Sequence, residues 1–330
     1  MELILKLKNI ERVKKMNTIY NTLRSDKAYK IYDNFLYEVS GEDYEDILDS
    51  FLPKNIMFAD TYTCGYTFLL NEDGTVFDEV TFYKFDDKYW IASHKELESY
   101  FIGFNLNLKE ISSDYKILQL EGKNTGEVAQ EFYEYDISTL NFRSMVEMNY
   151  ADEEGYLVRF GFSGEFGYQF ILPTDVFNQF VSDICDGIVE YDSELDAYLR
   201  FEVGQPIPDI YQKEEHSLYE LGYSWNLDFT KEEFKGRESL LKTIQSTNLR
   251  SVGFESKEKI TVGTAVLFEG EVVGSVIWSA NQVSPTETYL GLMIVSQEFA
   301  HAGVTFEAEN EVVLKTISSP YRIPESWNKE

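Results

Sequence analysis

Two stretches of the chain carry apolar residues at the spacing of an amphipathic helix. In residues 40–55, "SGEDYEDILDSFLPKN", apolar side chains recur every three or four positions, after an acidic first turn and before Pro53. Residues 173–188, "PTDVFNQFVSDICDGI", repeat this pattern, with Thr174 as the expected N-cap and Gly187 as the stop. The pattern predicts one helix in each stretch.

A third helix is indicated by "TKEEFKGRESLLKTI", residues 230–244. Thr230 and Glu233 have the spacing of a capping box, in which each side chain bonds the other residue's backbone N–H. We therefore expect the last long helix to begin at this pair.

Strand patterns lie between these helices. Residues 67–93, "TFLLNEDGTVFDEVTFYKFDDKYWIAS", alternate around the turn sequences "NEDG" and "DDK", which predicts a three-stranded meander. Residues 262–278 and 288–295 are predicted to be later strands, with Gly270 in a turn. Strand clusters interleaved with separate helices are typical of an α+β chain.

Residues 251–330 show almost only strand and turn patterns, which predicts a small β-barrel or sandwich with its boundary near Asn248 to Arg250. We expect an α+β region over residues 1–245 and an all-β domain over 246–330. No internal repeat or low-complexity segment is found in the sequence.

Residues 158–177, "VRFGFSGEFGYQFILPTDVF", allow three interpretations. A nucleophile elbow needs Gly-x-Ser-x-Gly, but Ser163 is followed by Gly164 and Glu165. A phosphate-binding loop leads directly into a helix, whereas here a strand-like run follows. A tight turn between two strands, with glycines at unusual backbone angles, is favoured.

Charge and composition exclude several function classes. The 330 residues contain 43% hydrophobic and 15% aromatic residues, which is typical of a packed globular protein. The formal net charge of −29 disfavours binding to nucleic acid or to an anionic membrane surface. Cys64 and Cys185 lie far apart, and no histidine has the spacing of a metal ligand, so we expect reduced thiols, no metal and a cytoplasmic protein. We find neither a signal peptide nor an apolar run long enough to cross a membrane.

Several segments, in order, resemble one family: the glycine cleavage system T protein and related folate-dependent aminomethyl- and methyltransferases. "GFSGEFGYQFILP" is similar to the family's "GYTGE-G(F/Y)E" segment, and "LRFEVGQPI" is similar to its "LRLEAG" segment. The other segments that carry the resemblance are "VSGEDYEDILDSFL", "YTFLLNEDGTVFDEVTFYKF", "LGYSWNLDFTKEEFKGRESL" and "GSVIWSANQVSPTETYLGLMIV". The resemblance covers roughly residues 30–325. It implies a three-part cloverleaf: two N-terminal α+β subdomains that form a channel for tetrahydrofolate, and a C-terminal β-barrel-like domain.

The resemblance also implies roles for individual residues. Glu79 takes the place of a catalytic carboxylate beside the folate nitrogens, next to Asp78. A purely structural interpretation remains open, with one of the two side chains pointing inward and the other outward on an ordinary strand. Gln169 takes the place of a glutamate that holds the pterin edge, and it offers one acceptor group where glutamate offers two. The remaining residues expected in the cofactor site are Tyr66, Asp78, Tyr83, Phe162, Glu165 and Arg200.

Two segments depart from the family pattern. The family's "D-SHM" corresponds to "KIYDN", Lys30 to Asn34, so its His and Met are missing. Its "GARD" corresponds to "ELDA", which replaces a basic residue with Asp196. Arg200 is kept, either to bind a folate carboxylate or to pair with a neighbouring acidic residue.

Two kinds of function follow from the resemblance. The first hypothesis is a tetrahydrofolate-dependent transferase that takes an aminomethyl or methyl group from a small donor. A lipoyl carrier protein is not expected as its partner, because such carriers are usually acidic and this chain carries −29. The alternative is a protein without catalysis, either one that binds folate or a paralogue that has lost folate binding.

Overall fold

The computed structural model describes residues 2–213, 215–281 and 288–328. Two β-sheets and a closed six-stranded barrel confirm the predicted α+β fold with three parts. The helices are α1 Glu2–Ser25, α2 Tyr44–Phe51, α3 Gly126–Ala129, α4 Thr174–Ile184, α5 Ser193–Val203, α6 Pro208–Tyr211 and α7 Arg237–Ser246. The strands are β1 Ala28–Tyr32, β2 Phe35–Ser40, β3 Thr63–Leu70, β4 Val76–Lys84, β5 Tyr89–Ser93, β6 Asn107–Glu110, β7 Tyr115–Glu121, β8 Met145–Tyr150, β9 Glu153–Val158, β10 Gly167–Pro173, β11 Val189–Glu190, β12 Leu249–Ser256, β13 Ala265–Phe268, β14 Glu271–Ser279, β15 Tyr289–Ser296, β16 Thr305–Ala308 and β17 Val313–Thr316.

The first sheet contains the predicted meander. Its order is β3-β4-β5-β2-β6, and β3, β4 and β5 pair as successive antiparallel neighbours. The "NEDG" turn closes with a bond from the Asn71 N–H to the Thr75 carbonyl. Leu48 and Phe51 of α2 are buried in the same apolar cluster as Leu69 of β3, so the apolar face of the helix packs on this sheet.

The second sheet has the order β11-β1-β7-β10-β9-β8. Strands β9 and β10 are antiparallel, with Ile171 opposite Tyr156. Residues 159–166 connect them, and Gly164 has a positive φ of 80°. Residues 159–166 therefore form a turn between two strands, which is the interpretation that the sequence favoured.

The barrel closes in the order β12-β15-β14-β13-β16-β17. Gly270, with φ 85°, lies in the turn between β13 and β14, as predicted. Residues 282–287 of the "GSVIWSANQVSPTETYLGLMIV" segment lie outside the described residues. Helix α7 ends at Ser246, and the first barrel strand begins at Leu249.

Three helices differ from expectation. The N-terminal segment forms α1, which the sequence patterns did not predict. Helix α4 has Pro173 at its cap position. Thr174, the expected cap, is instead the first residue of the helix, and its hydroxyl forms no hydrogen bond with a described residue. Helix α7 begins at Arg237 rather than at Thr230, because both the hydroxyl and the N–H of Thr230 donate to Asp228 Oδ1 in a preceding turn. Within the described residues, no helix is both long and apolar enough to cross a membrane.

Candidate functional site

Five of the expected site residues meet at one small cavity between the two sheets, which we call the central cavity. Glu79 and Tyr83 come from β4, Gln169 from β10, Phe162 from the turn before β10, and Arg200 from α5. The rest of the lining is Tyr32, Asn34, Thr81, Ala92, His94 and Ile117. The volume of the cavity is about 20 Å³. Residues 79, 81 and 83 alternate along β4, so their side chains share the face towards the cavity.

Glu79 is held by two donors from other elements. Its carboxylate accepts hydrogen bonds from Arg200 Nη1 at 3.0 and 3.1 Å and from the Tyr211 hydroxyl at 2.6 Å. Glu79 is only 3% exposed, so it is a buried carboxylate whose charge is compensated. Burial, and then the Glu79 carboxylate, raise the pKa of Tyr211 well above its usual range. No motif or spacing in the sequence indicated Tyr211, which lies in the short helix α6.

Gln169 is also engaged within the protein. The Tyr83 hydroxyl donates to Gln169 Oε1 at 2.9 Å, and both side chains are buried. Burial raises the pKa of Tyr83 well above its usual range, so the hydroxyl stays protonated and remains a donor. The Gln169 oxygen expected to face a pterin thus already accepts one hydrogen bond within the protein.

Arg200 connects the cavity to the two segments that depart from the family pattern. Its Nε lies 3.2 Å from Asp196 Oδ2, and Asp196 in turn pairs with Lys30 at 3.0 Å. Burial disfavours the Asp196 charge, but Arg200 and Lys30 outweigh burial and lower the pKa of Asp196. The family motifs have an acidic residue at position 30 and a basic one at position 196. The signs are exchanged here, and the structure pairs the two residues.

Phe162 and Tyr66 form the wall beside Arg200. The Arg200 guanidinium carbon lies 3.6 Å from the centroid of the Phe162 ring, a cation–π contact. The Tyr66 ring meets Phe162 edge-on, with 5.4 Å between centroids. Tyr66 does not line the central cavity, and its hydroxyl donates to Gln205 Oε1 at 2.6 Å.

Asp78 and Glu165, both expected in the cofactor site, lie outside the cavity. Asp78 faces the opposite side of β4, where Oδ2 accepts bonds from the Ser93 hydroxyl and from the N–H groups of His94 and Lys95. Glu165 lies beyond the bend at Gly164. It accepts bonds from Arg24 of α1 and, near the C-terminus, from the N–H groups of residues 325 and 326. Both carboxylates therefore hold neighbouring segments of the chain together.

A second, larger cavity lies between α5 and the barrel. Its volume is about 410 Å³, and none of the expected site residues lines it.

Cys64 and Cys185 are free and buried, and burial raises the pKa of each thiol to about 12. Within the described residues no group of three His, Cys, Asp or Glu side chains is placed to hold a metal.

Two sheets around a central cavity, followed by a closed barrel, place the chain in the class of aminomethyltransferase-like folds. The family model "GCVT N-terminal domain" matches residues 35–231, so the chain belongs to this family. The resemblance seen in the sequence motifs is thereby confirmed.

Two curated relatives are the aminomethyltransferases of Thermoanaerobacter sp. (strain X514) and Clostridium botulinum (strain Loch Maree / Type A3). The first is 25% identical over 271 residues, which cover 73% of this chain and 70% of the relative. The second is 25% identical over 288 residues, which cover 81% and 77%. The crystal structure of glycine cleavage system aminomethyltransferase T from Bartonella henselae matches with a TM-score of 0.82 at 17% identity, over 94% of this chain and 90% of that one. At this identity the structural likeness is one of fold.

Proposed function

We propose that this chain is a family member that does not hold tetrahydrofolate in its central cavity, and therefore does not carry out folate-dependent one-carbon transfer there. The observation that supports this proposal is the size of the cavity. Ligand pockets usually have roughly 300–1,000 Å³. About 20 Å³ is available here, which is space for about one water molecule.

The hydrogen bonds around the cavity support the same proposal. The carboxylate of Glu79 accepts hydrogen bonds from Arg200 and Tyr211, and the side-chain oxygen of Gln169 accepts one from Tyr83. A bound pterin would have to break these buried contacts, and a buried polar group that loses its partner costs about 1–3 kcal/mol. The residues present satisfy one another, and as arranged they do not fit the cofactor.

The competing function is a tetrahydrofolate-dependent aminomethyl or methyl transferase that uses a small one-carbon donor. Family membership and the position of Glu79 in the cavity favour it. In that case the curated aminomethyltransferase relatives indicate the reaction class, Glu79 serves the reacting nitrogen, and Tyr83, Phe162, Gln169 and Arg200 shape the pterin site.

Calorimetric titration with tetrahydrofolate and with its 5-methyl and 5,10-methylene forms separates the two functions. Our proposal expects no saturable binding at concentrations up to about 1 mM, the weak end of useful affinities. It also expects Gln169→Glu to leave this result unchanged.

The transferase function makes the opposite predictions. It expects saturable binding by the wild-type chain, and roughly tenfold tighter binding by Gln169→Glu, the scale of one charge-assisted hydrogen bond. Saturable wild-type binding that responds to Gln169→Glu would overturn our proposal.

A further inference from the structure

The larger cavity, between α5 and the barrel, has room for a small molecule, and we call it the barrel cavity. Its volume of about 410 Å³ lies within the range of roughly 300–1,000 Å³ that is usual for ligand pockets. Phe201, Gly204 and Gln205, at and just after the end of α5, line one side of it. Gly253 of β12 and Leu292 of β15 line the other side. The cavity thus lies where two parts of the fold meet, which is a frequent place for a ligand site.

Contacts within the wall hold its two sides at a fixed separation. A Cβ at Gly253 would lie 3.1 Å from Phe201 Cζ and 3.2 Å from Ile317 Cγ1, so β12 closely approaches both α5 and the segment after β17. The Ile317 N–H donates to the Gly253 carbonyl. The Phe201 ring also stacks on Trp278 of β14, with 5.2 Å between ring centroids. Packing and backbone bonds therefore fix this part of the wall.

The wall carries very little charge. Of the 330 residues, 26% are Asp, Glu, Lys or Arg, yet within the described residues none of these four types lines the cavity. His301 lines it but is exposed to solvent. An ion that enters a cavity without an opposite charge loses its hydration and gains no partner. The net charge of −29 further disfavours an anion. The wall therefore suits an uncharged ligand.

Two polar side chains of the wall offer one donor and one acceptor. The Ser251 hydroxyl donates to the Leu221 carbonyl at 2.7 Å, so its oxygen can only accept a further hydrogen bond. Gln205 Oε1 accepts from the Tyr66 hydroxyl at 2.6 Å, which leaves the Nε2 group of Gln205 as a donor. A carboxamide is an uncharged group that supplies both an acceptor and a donor.

The rings of Phe201, Tyr223 and Tyr321 contribute to the wall, and aromatic side chains pack well against a flat ring. From this geometry we infer that the barrel cavity binds a small uncharged aromatic molecule with a carboxamide group. Its ring packs against the apolar wall, and its carbonyl oxygen accepts a hydrogen bond from Gln205. The site does not depend on the function proposed for the central cavity, because the two cavities share no lining residue among those described.

Three probes with the same ring and different charge test this site: benzamide, benzoate and benzylammonium. Calorimetric titration of the full chain at pH 7.5 measures their binding. We expect saturable binding of benzamide with a dissociation constant of about 1 mM, near the weak end of useful affinities. Benzoate and benzylammonium should each bind at least roughly tenfold more weakly, because the wall has no charge to compensate theirs.

Gln205→Glu tests the donor. The variant keeps an acceptor for Tyr66 but replaces the amide donor with a carboxylate. Benzamide should then bind at least roughly tenfold more weakly, and benzylammonium should bind more tightly than it does to the wild type. A merely structural change would not reverse the order of the two probes. Gln212→Glu adds the same charge at an exposed residue that does not line the cavity, and this matched control should bind all three probes as the wild type does.

Ala302→Trp is a second variant, at an exposed residue of the wall where a larger side chain is tolerated. It should weaken benzamide binding at least roughly tenfold by filling part of the cavity, and it should leave the thermal unfolding midpoint close to that of the wild type. If Gln205→Glu does not fold, the result for Ala302→Trp decides.

The site is overturned if the wild type shows no saturable binding at about 20 mM benzamide, roughly the limit for a fragment of this size. Equal binding of the three probes would also overturn it, as would folded variants at 205 and 302 that both bind benzamide as the wild type does. Tetrahydrofolate binding that responds only to Gln169→Glu would instead contradict the function proposed for the central cavity and leave this site standing.

Discussion

A buried carboxylate such as Glu79 persists only where its charge is compensated. Arg200 of α5 and Tyr211 of α6 supply this compensation, and Arg200 forms a second ion pair with Asp196. The result is a chain of paired polar groups that runs from the half-buried Lys30 through Asp196, Arg200 and Glu79 to the buried Tyr211. Removing one member of a buried ion pair is more costly than the net value of the pair, because the other charge stays buried.

Glu79→Gln should therefore destabilise the fold whether or not the protein is an enzyme. We expect the free energy of unfolding to fall by roughly 3 kcal/mol, since Arg200 keeps its charge and loses one of its two carboxylates. Urea unfolding at pH 7 measures the change. Glu153→Gln, at the exposed first residue of β9, is the matched control and should change it by less than about 0.5 kcal/mol. Glu79→Gln combined with Arg200→Met should recover part of the loss; an additive result would show that the pair is not coupled.

Glu121 provides a prediction about pH. Its carboxylate is buried at the end of β7 and accepts bonds from the N–H groups of Phe162 and Ser163. Burial raises the pKa of Glu121, and these bonds offset the shift only in part. Because the folded pKa lies above the unfolded value of about 4.3, the stabilising contribution is complete below that pH and is lost as the pH rises through the folded pKa.

Comparison with Glu121→Gln, which does not titrate, isolates this effect. The stability of the wild type relative to the variant should decrease from pH 5 to pH 8. Urea unfolding at each pH measures the difference, with Glu153→Gln as the reference for nonspecific effects. A difference that stays constant or grows with pH would contradict the raised pKa.

At the scale of single residues, the sequence identified which side chains meet but not how they pair. The resemblance placed Glu79, Tyr83, Phe162, Gln169 and Arg200 in one site, and these five residues line the central cavity. Tyr66, Asp78 and Glu165, which it placed there with them, do not line it. The bond from Tyr211 to Glu79 spans 132 residues, and the bond from Lys30 to Asp196 spans 166. No local pattern marks such pairs. The alternation along β4 was the available sign that Asp78 and Glu79 face opposite sides.

At the scale of elements, alternation and turn residues were reliable where each strand pairs with its neighbour in sequence. The meander and the β13–β14 hairpin are of this kind. Helix α1 was missed although Met16, Tyr20 and Leu23 form a buried stripe, because the charged residues over positions 2–15 interrupt the apolar pattern of the segment. The start of α7 was misplaced because a side chain that suits a cap is equally able to serve a turn.

Gly236 sets the start of α7, and its replacement is the prediction that belongs to this element. It has φ 79°, and a Cβ there would lie 2.3 Å from the Asn71 carbonyl oxygen in the meander turn. Gly236→Ala should lower the free energy of unfolding by more than about 2 kcal/mol, from the left-handed backbone and the collision together. Gly187→Ala is the matched control: φ is 73° but nothing lies within 4 Å, so only about 1 kcal/mol should be lost. Equal losses would show that the contact with the turn does not matter.

At the scale of the whole molecule, the interior contains basic side chains paired with acidic ones, whereas the surface carries an excess of acidic charge. Arg24 and Arg200 are among the largest fully buried side chains, and each pairs with buried acids. Arg24 joins α1 to Glu165, which also holds the segment near the C-terminus. Buried pairs of this kind are screened little by salt, whereas the excess acidic charge on the surface is screened strongly.

The net charge of −29 therefore leads to a prediction about salt. Mutual repulsion among surface carboxylates destabilises a compact state, and salt weakens it as the screening length falls from about 10 Å at 0.1 M to about 3 Å at 1 M. The midpoint of urea unfolding should thus rise between 0.05 and 0.5 M NaCl. Urea is the appropriate denaturant because it adds no ions of its own. KCl should produce the same rise, since screening depends on ionic strength rather than on ion identity. A midpoint that falls with salt would mean that surface ion pairs such as Lys27–Glu127, with the Glu127 side chain 69% exposed, outweigh the repulsion, against the small contribution expected of exposed pairs.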